Sequence, residues 1–220
     1  MRLTILPALL GALTLIAVGL LQPPVRAADG LPPPIGPSEP LAKAEQGDDG
    51  IYHQPWFVHS FLDLKEDFEA AKSQGKRFAV IFEQRGCSYC VKMHKEVLAQ
   101  RYINDYVREN FAVVQLNMWG SREVTDFDGK TMPEKELAER WGVMFTPTVV
   151  FMKEDVAAQE AKWGQPLEVM RMSLGVGPGT FYDMFVWVRA KVYETDRNFQ
   201  RFHLMRFDER KALQEGSAGQ

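Results

Sequence analysis

Apart from Cys87 and Cys90 the 220-residue chain has no cysteine, so it has nothing from which to build a framework of structural disulfides. It also lacks the further Cys or His ligands, at similar spacing, that a four-coordinate zinc site would need beyond this pair. Positive charge is not in excess: 26 Lys and Arg stand against 29 Asp and Glu, a formal net charge of −3, which argues against nucleic acid as a partner. Beyond residue 21 no apolar run approaches the roughly 20 residues that span a bilayer. No internal repeat is visible. The one stretch suggestive of a calcium loop, Val124–Gly129, has Val124 and Lys135 where an EF-hand requires an acid and a glutamate, so Asp128-Gly129 reads as a turn in a loop or a hairpin.

What is present starts with Met1-Arg2, an apolar run from Leu3 to Leu21, then Pro23-Pro24 and the small residues Ala27-Ala28. This is the layout of a secretory signal peptide covering residues 1–27, with Val25 and Ala27 in the small-residue positions before the cut; an uncleaved anchor is the alternative. Cleavage removes Arg2 and Arg26 but no acid, leaving a net charge of −5. Residues 28–50 carry Pro32-Pro33-Pro34, Pro37 and Pro40 and read as a linker or flexible arm. Residues 51–203 hold the periodic segments of one domain, and residues 204–220 read as a charged C-terminal tail.

Within that domain, apolar positions from Phe61 to Ala71 fall at helical spacing, with Gly75 where the helix would stop. Phe78–Phe82 and Phe111–Met118 read as buried strands, and Val91–Ala99 and Tyr102–Arg108 as helices. Pro133 suits the first position of a helix over Glu134–Trp141. Phe145–Met152 reads as a strand interrupted by Pro147, Leu167–Leu174 as a more exposed strand, and Phe181, Met184, Phe185, Val188 and Val192 mark a closing helix.

Both cysteines lie in Cys87-Ser88-Tyr89-Cys90, between a buried strand and a helix. There the first cysteine takes the opening turn, where free N–H groups favour its thiolate, and the second lies one turn on, able to close or open a disulfide. This points to thiol-disulfide chemistry with Cys87 attacking and Cys90 resolving, and no cofactor beyond the cysteine pair itself. His94, one turn after Cys90, raises the alternative of a copper or zinc module; a surface-packing histidine is the favoured reading. Glu83 shares the strand face of Ile81 and is either a solvated strand-end carboxylate or a buried group that passes a proton to and from Cys90. Tyr89, between the cysteines, is expected to be exposed and to touch a partner.

The order of helices and strands, with Thr146-Pro147 after the third strand, resembles the thioredoxin fold, an α/β architecture with a central mixed sheet flanked by helices, here with an N-terminal arm and a C-terminal helical extension. Phe82–Cys90, Asn117-Met118-Trp119-Gly120, Val124–Lys130, Glu134–Ala138, Phe145–Thr148 and Asn198–Phe202 together resemble the SoxW-type periplasmic thioredoxins of bacterial sulfur-oxidation systems over roughly residues 57–203. The resemblance implies a periplasmic reductase that takes electrons from a membrane thiol transporter and passes them to protein disulfides, among them a sulfur-carrier protein. It also implies that Pro147 is a cis-proline facing the disulfide, and that Thr146 and Pro147 align an extended substrate. A disulfide oxidase or isomerase remains the alternative. One departure stands out: the buried Asp that thioredoxins usually keep six residues before the first cysteine is Ile81 in this chain.

Overall fold

The computed structural model describes residues 30–37, 39–41, 44–154 and 163–218; the signal peptide read at residues 1–27 lies outside them. Two short strands, β1 (Glu45–Gln46) and β2 (Tyr52–His53), form a small antiparallel ribbon. Helix α1 (Leu64–Ser73) begins where the Asp63 carboxylate accepts from the amides of Lys65 and Glu66, and it buries Leu64, Phe68 and Ala71.

Strand β3 (Arg77–Glu83) is buried at every position, which is why its sequence is a continuous apolar run and not an alternation. It leads into α2 (Ser88–Lys92), continued by a π-helical turn, Met93–Val97. Helix α3 (Arg101–Asn110), strand β4 (Phe111–Asn117), the hairpin β5 (Glu123–Thr125) and β6 (Thr131–Pro133), and helix α4 (Glu134–Arg140) follow. Then come β7 (Thr148–Met152), β8 (Glu168–Ser173), α5 (Pro178–Arg189), α6 (Val192–Thr195) and α7 (Phe199–Ala218).

The main sheet has the order β4-β3-β7-β8, with β4 parallel to β3 and the other pairings antiparallel. Side-chain alternation divides the core in two. Ala79, Ile81, Val113, Val149 and Phe151 meet α3, α5 and the π-helical turn; Phe78, Val80, Phe82, Val114 and Val150 meet α1 and α4. Each fully buried Phe among these contributes about 1.5–3 kcal/mol of transfer free energy. Glu83 ends β3 two residues after Ile81, on the face that turns toward α2.

Three expectations need correction. The proline-containing strand does not start at Phe145: β7 begins at Thr148, because Pro147 has no N–H to offer a ladder. The 28–50 segment is not free where it is described: the Tyr102 amide donates to Pro37 O, the Leu41 amide to Ala99 O, and Arg206 to the carbonyls of Pro32 and Pro33. The charged stretch read as a tail from residue 204 is helical to Ala218. Two of its cations turn inward: Arg206 and Arg210 both bind the fully buried Asp183 of α5.

The hairpin is anchored from below. Arg140 of α4 donates to Asp126 and Asp128, while Trp141 Nε1 and the Gly164 amide also donate to Asp126. The Arg140 guanidinium holds the Asp128 carboxyl below its usual value of 3.8. A carboxyl with a depressed folded-state value adds stability above the unfolded value and loses it as pH falls through the folded one. The gap in unfolding free energy between wild type and Asp128→Asn is therefore expected to be constant near neutral pH and to close below 3.8. Denaturant melts across acid pH check this, and a gap that does not change with pH refutes it.

Candidate active site

Cys87 and Cys90 form a disulfide at the mouth of α2. The preceding turn, with Gly86 at φ +76°, takes the chain from the end of β3 into the helix. Cys87 occupies the N-cap position, and its Sγ accepts the Cys90 amide N–H at 3.0 Å. That contact favours charge on Cys87 once the bond is opened. Cys90 is the more buried of the two.

Across from the disulfide is the Thr146–Pro147 peptide, cis, with the Thr146 carbonyl oxygen 3.4 Å from Cys87 Sγ. The backbone amide of Thr146 has no acceptor among the described residues. Pro147 O accepts the amide of Leu174, which holds that residue at φ +69° on the rim of the site.

A cleft of about 370 Å³ opens above Cys87. Of the nine large apolar side chains exposed among the described residues, five line it: Tyr89, Trp119, Met144, Phe145 and Leu174. None of its eleven lining residues is charged, in a chain 25% charged, so the ground around the sulfur is made for apolar contact. Trp119 is fixed by its indole N–H, which donates to Gln84 Oε1 at 2.5 Å. Tyr89 separates this cleft from a second of about 230 Å³ lined by Pro147, Val176 and Phe181. A side chain at Gly175 would fall 2.6 Å from the Tyr89 ring, so glycine there lets the chain pass beneath the ring without displacing it.

Cys87, Cys90, Tyr89, Thr146 and Pro147 thus meet at one place. Glu83 and His94 lie behind it. The solvated reading of Glu83 is excluded by its complete burial. The surface reading of His94 is likewise corrected: it is fully buried, its Nε2 2.9 Å from Glu83 Oε1 and its Nδ1 3.1 Å from Gln54 Nε2. Both ring nitrogens being engaged, neither is directed at the sulfurs as a metal ligand. No hydrogen bond joins Glu83 to Cys90 among the described residues; the carboxylate is tied to the Cys90 helix through His94, one turn after Cys90. The apolar rim was not legible beforehand. Trp119 appeared only within a motif, and a tryptophan just past a buried strand was the available signal.

Residues 64–159 match the thioredoxin-like domain family. No curated protein matches the chain. Among solved structures, a thioredoxin-fold protein from Helicobacter pylori is 18% identical, with 63% of this chain and 86% of that one covered and a TM-score of 0.50. A thioredoxin from Thermus thermophilus is 25% identical, with 59% and 85% covered and a TM-score of 0.44. A structure named DsbH oxidoreductase is 19% identical, with 66% and 95% covered and a TM-score of 0.41. The sheet order, the C-x-x-C disulfide at the end of its central strand and the cis-proline opposite agree with the domain match: the chain has a thioredoxin-like fold, α/β with a mixed sheet flanked by helices and a helical C-terminal extension.

Proposed function

We propose that this protein is a periplasmic thiol-disulfide oxidoreductase that reduces disulfides in other proteins. One observation carries the chemistry: a disulfide whose outer sulfur, Cys87, sits at the base of an open, uncharged cleft while Cys90 is buried directly behind it. In the reduced enzyme the Cys87 thiolate attacks one sulfur of a substrate disulfide, forming a mixed disulfide and expelling one substrate thiolate. Cys90, having lost its proton, then attacks Cys87 Sγ; the second substrate thiolate leaves, and two electrons have passed to the substrate. The free Thr146 amide next to Cys87 supports main-chain pairing with an extended segment, and Tyr89 adds contact area.

The direction of electron flow, the periplasmic location, the membrane thiol transporter as electron source and a sulfur-carrier protein among the substrates rest on the resemblance to SoxW-type thioredoxins and on the N-terminal reading. The deciding measurement is the reduction potential. A value near about −270 mV supports a reductase, whereas one near about −120 mV makes the protein an oxidase.

Glu83, bonded to His94 one turn after Cys90, is assigned as the acceptor of the Cys90 proton during resolution. Glu83→Gln is expected to slow release of product from the mixed disulfide by about 100-fold or more while leaving its formation nearly unchanged. Stopped-flow measurement of the two steps checks this; equal rates in variant and wild type remove Glu83 from the reaction.

A further inference from the structure

The hydrogen bonds behind the disulfide form one continuous chain, and both of its ends are main-chain carbonyls. At one end Asn104 Nδ2 donates to Leu98 O at 2.8 Å and to Gln54 Oε1 at 3.2 Å. A carbonyl accepts only, so Asn104 must present its NH₂ there, and Gln54 must then present its oxygen to Asn104 and its NH₂ to His94. Gln54 Nε2 faces His94 Nδ1 at 3.1 Å, which makes Nδ1 the acceptor and leaves the ring proton on Nε2. Nε2–H in turn donates to Glu83 at 2.9 Å and 3.2 Å.

The other end fixes a second donor to Glu83. Gln115 Nε2 donates to Tyr52 O at 2.8 Å, which fixes its amide orientation, and to Glu83 Oε1 at 2.8 Å. Its oxygen is left to accept from His53 Nδ1 at 2.6 Å, and His53 Nε2 reaches Asp49 at 3.2 Å near the surface. Glu83 is therefore met by two N–H donors and by no acceptor, the setting of a carboxylate and not of a protonated acid. An imidazolium at His94 would need Gln54 flipped, which sets NH₂ against NH₂ at Asn104; flipping Asn104 as well sets oxygen against Leu98 O.

We infer that His94 is a positioning residue: the chain locked at both ends holds its imidazole neutral, protonated on Nε2, and so keeps Glu83 ionised in the resting enzyme, ready to take the Cys90 proton during resolution. This rests on the oxidoreductase reading for its purpose, though not for its geometry. Glu83 and His94 are both completely buried, where a charge acts with little screening. The ring of Tyr52 is 6.1 Å from that of His94, with Lys95 above the far ring, and Phe57 packs at 5.9 Å. While ionised, Glu83 opposes a standing thiolate at Cys90 more than at the outer Cys87, and it takes the Cys90 proton only as the resolving attack occurs. It thereby assigns the attacking role to Cys87 and favours the uncharged disulfide over the reduced, thiolate-bearing state, which makes the couple more reducing.

The test uses the full mature protein in both redox states. Nitrogen-15 NMR of the His94 side chain is expected to show a protonated Nε2 and a bare Nδ1; an imidazolium or an Nδ1–H tautomer overturns the assignment. Glu83→Gln and His94→Phe are expected to move the dithiol–disulfide equilibrium about tenfold toward the dithiol, some 30 mV less negative. His94→Gln, which restores an N–H donor to Glu83, is expected to recover most of that shift. If the tautomer is as stated but neither Glu83→Gln nor His94→Phe moves the potential, the charge does not control the cysteines and the inference fails. Neither measurement involves a protein substrate, so failure of the wild type to reduce protein disulfides would sink the proposed function and leave this result standing.

Discussion

Cys87→Ser is expected to abolish disulfide reduction, lowering the rate by on the order of a thousandfold or more, whereas Cys90→Ser is expected to complete the first exchange and then stall. The asymmetry follows from the site. Cys87 lies at the base of the cleft and its Sγ accepts the Cys90 amide N–H at 3.0 Å, so it is both reachable and favoured as a thiolate. Cys90 is buried, and no substrate of protein size touches it before Cys87 has reacted. Cys90→Ser should therefore collect as a mixed disulfide, visible as a shifted band on non-reducing gels and cleared by reductant. Equal trapping by both variants would show the roles to be shared or reversed.

The second large effect concerns stability. Asp183→Ala is expected to cost about 3–5 kcal/mol of unfolding free energy, the range for stripping the partner from buried cations. The Asp183 carboxylate, fully buried in α5, receives Arg206 at 3.2 Å, Arg210 at 2.9 Å and 2.8 Å, and His203 at 2.7 Å, all from α7. Arg206 extends the connection to the carbonyls of Pro32 and Pro33, so one carboxylate joins the last helix and the described part of the N-terminal arm to the sheet-packing helix. Removing it leaves two guanidinium groups with little water and, for Arg206, only the longer 3.7 Å pair with Glu209. Because domains of this size are typically stable by only about 5–15 kcal/mol, the loss should appear as a large drop in the denaturant midpoint. It should also bring early proteolysis of α7. A loss below about 1 kcal/mol would show that the two arginines find water or another acid on α7, such as Glu209 beside Arg206.

Residue periodicity is a local property, and where burial follows from a face or a run of neighbours it was legible. Phe78–Phe82 is the central strand, the helices over α1, α3, α4 and α5 lie within a few residues of their expected places, and the cysteine pair caps the helix after β3. The spacing of Cys87 and Cys90, read with their lack of any other cysteine to pair with, pointed to the disulfide that the structure shows. Thr146-Pro147 stood out because proline cannot serve a ladder.

What the sequence could not state is which polar side chains would find partners far along the chain. Asp183 lies 23 positions from Arg206 and 27 from Arg210, and an arginine-rich helix considered alone reads as a solvated tail. Gln54, Gln115 and His94 come from three separate segments, 40 or more positions apart wherever Gln54 meets His94 or Gln115 meets its β2 partner, so nothing local marks His94 as buried. Exposure of Trp119, Met144, Phe145 and Leu174 around one sulfur is decided by the loops at one end of the sheet, although each of these residues alone resembles core. By itself the sequence determined where the main-sheet strands, the helices packed on them and the reactive sulfurs would be, because those follow from local periodicity and turn chemistry. Only the tertiary structure decided how the charge behind the sulfurs is held and what surrounds them in front, because hydrogen bonds and burial between distant segments exist only once the chain has closed on itself.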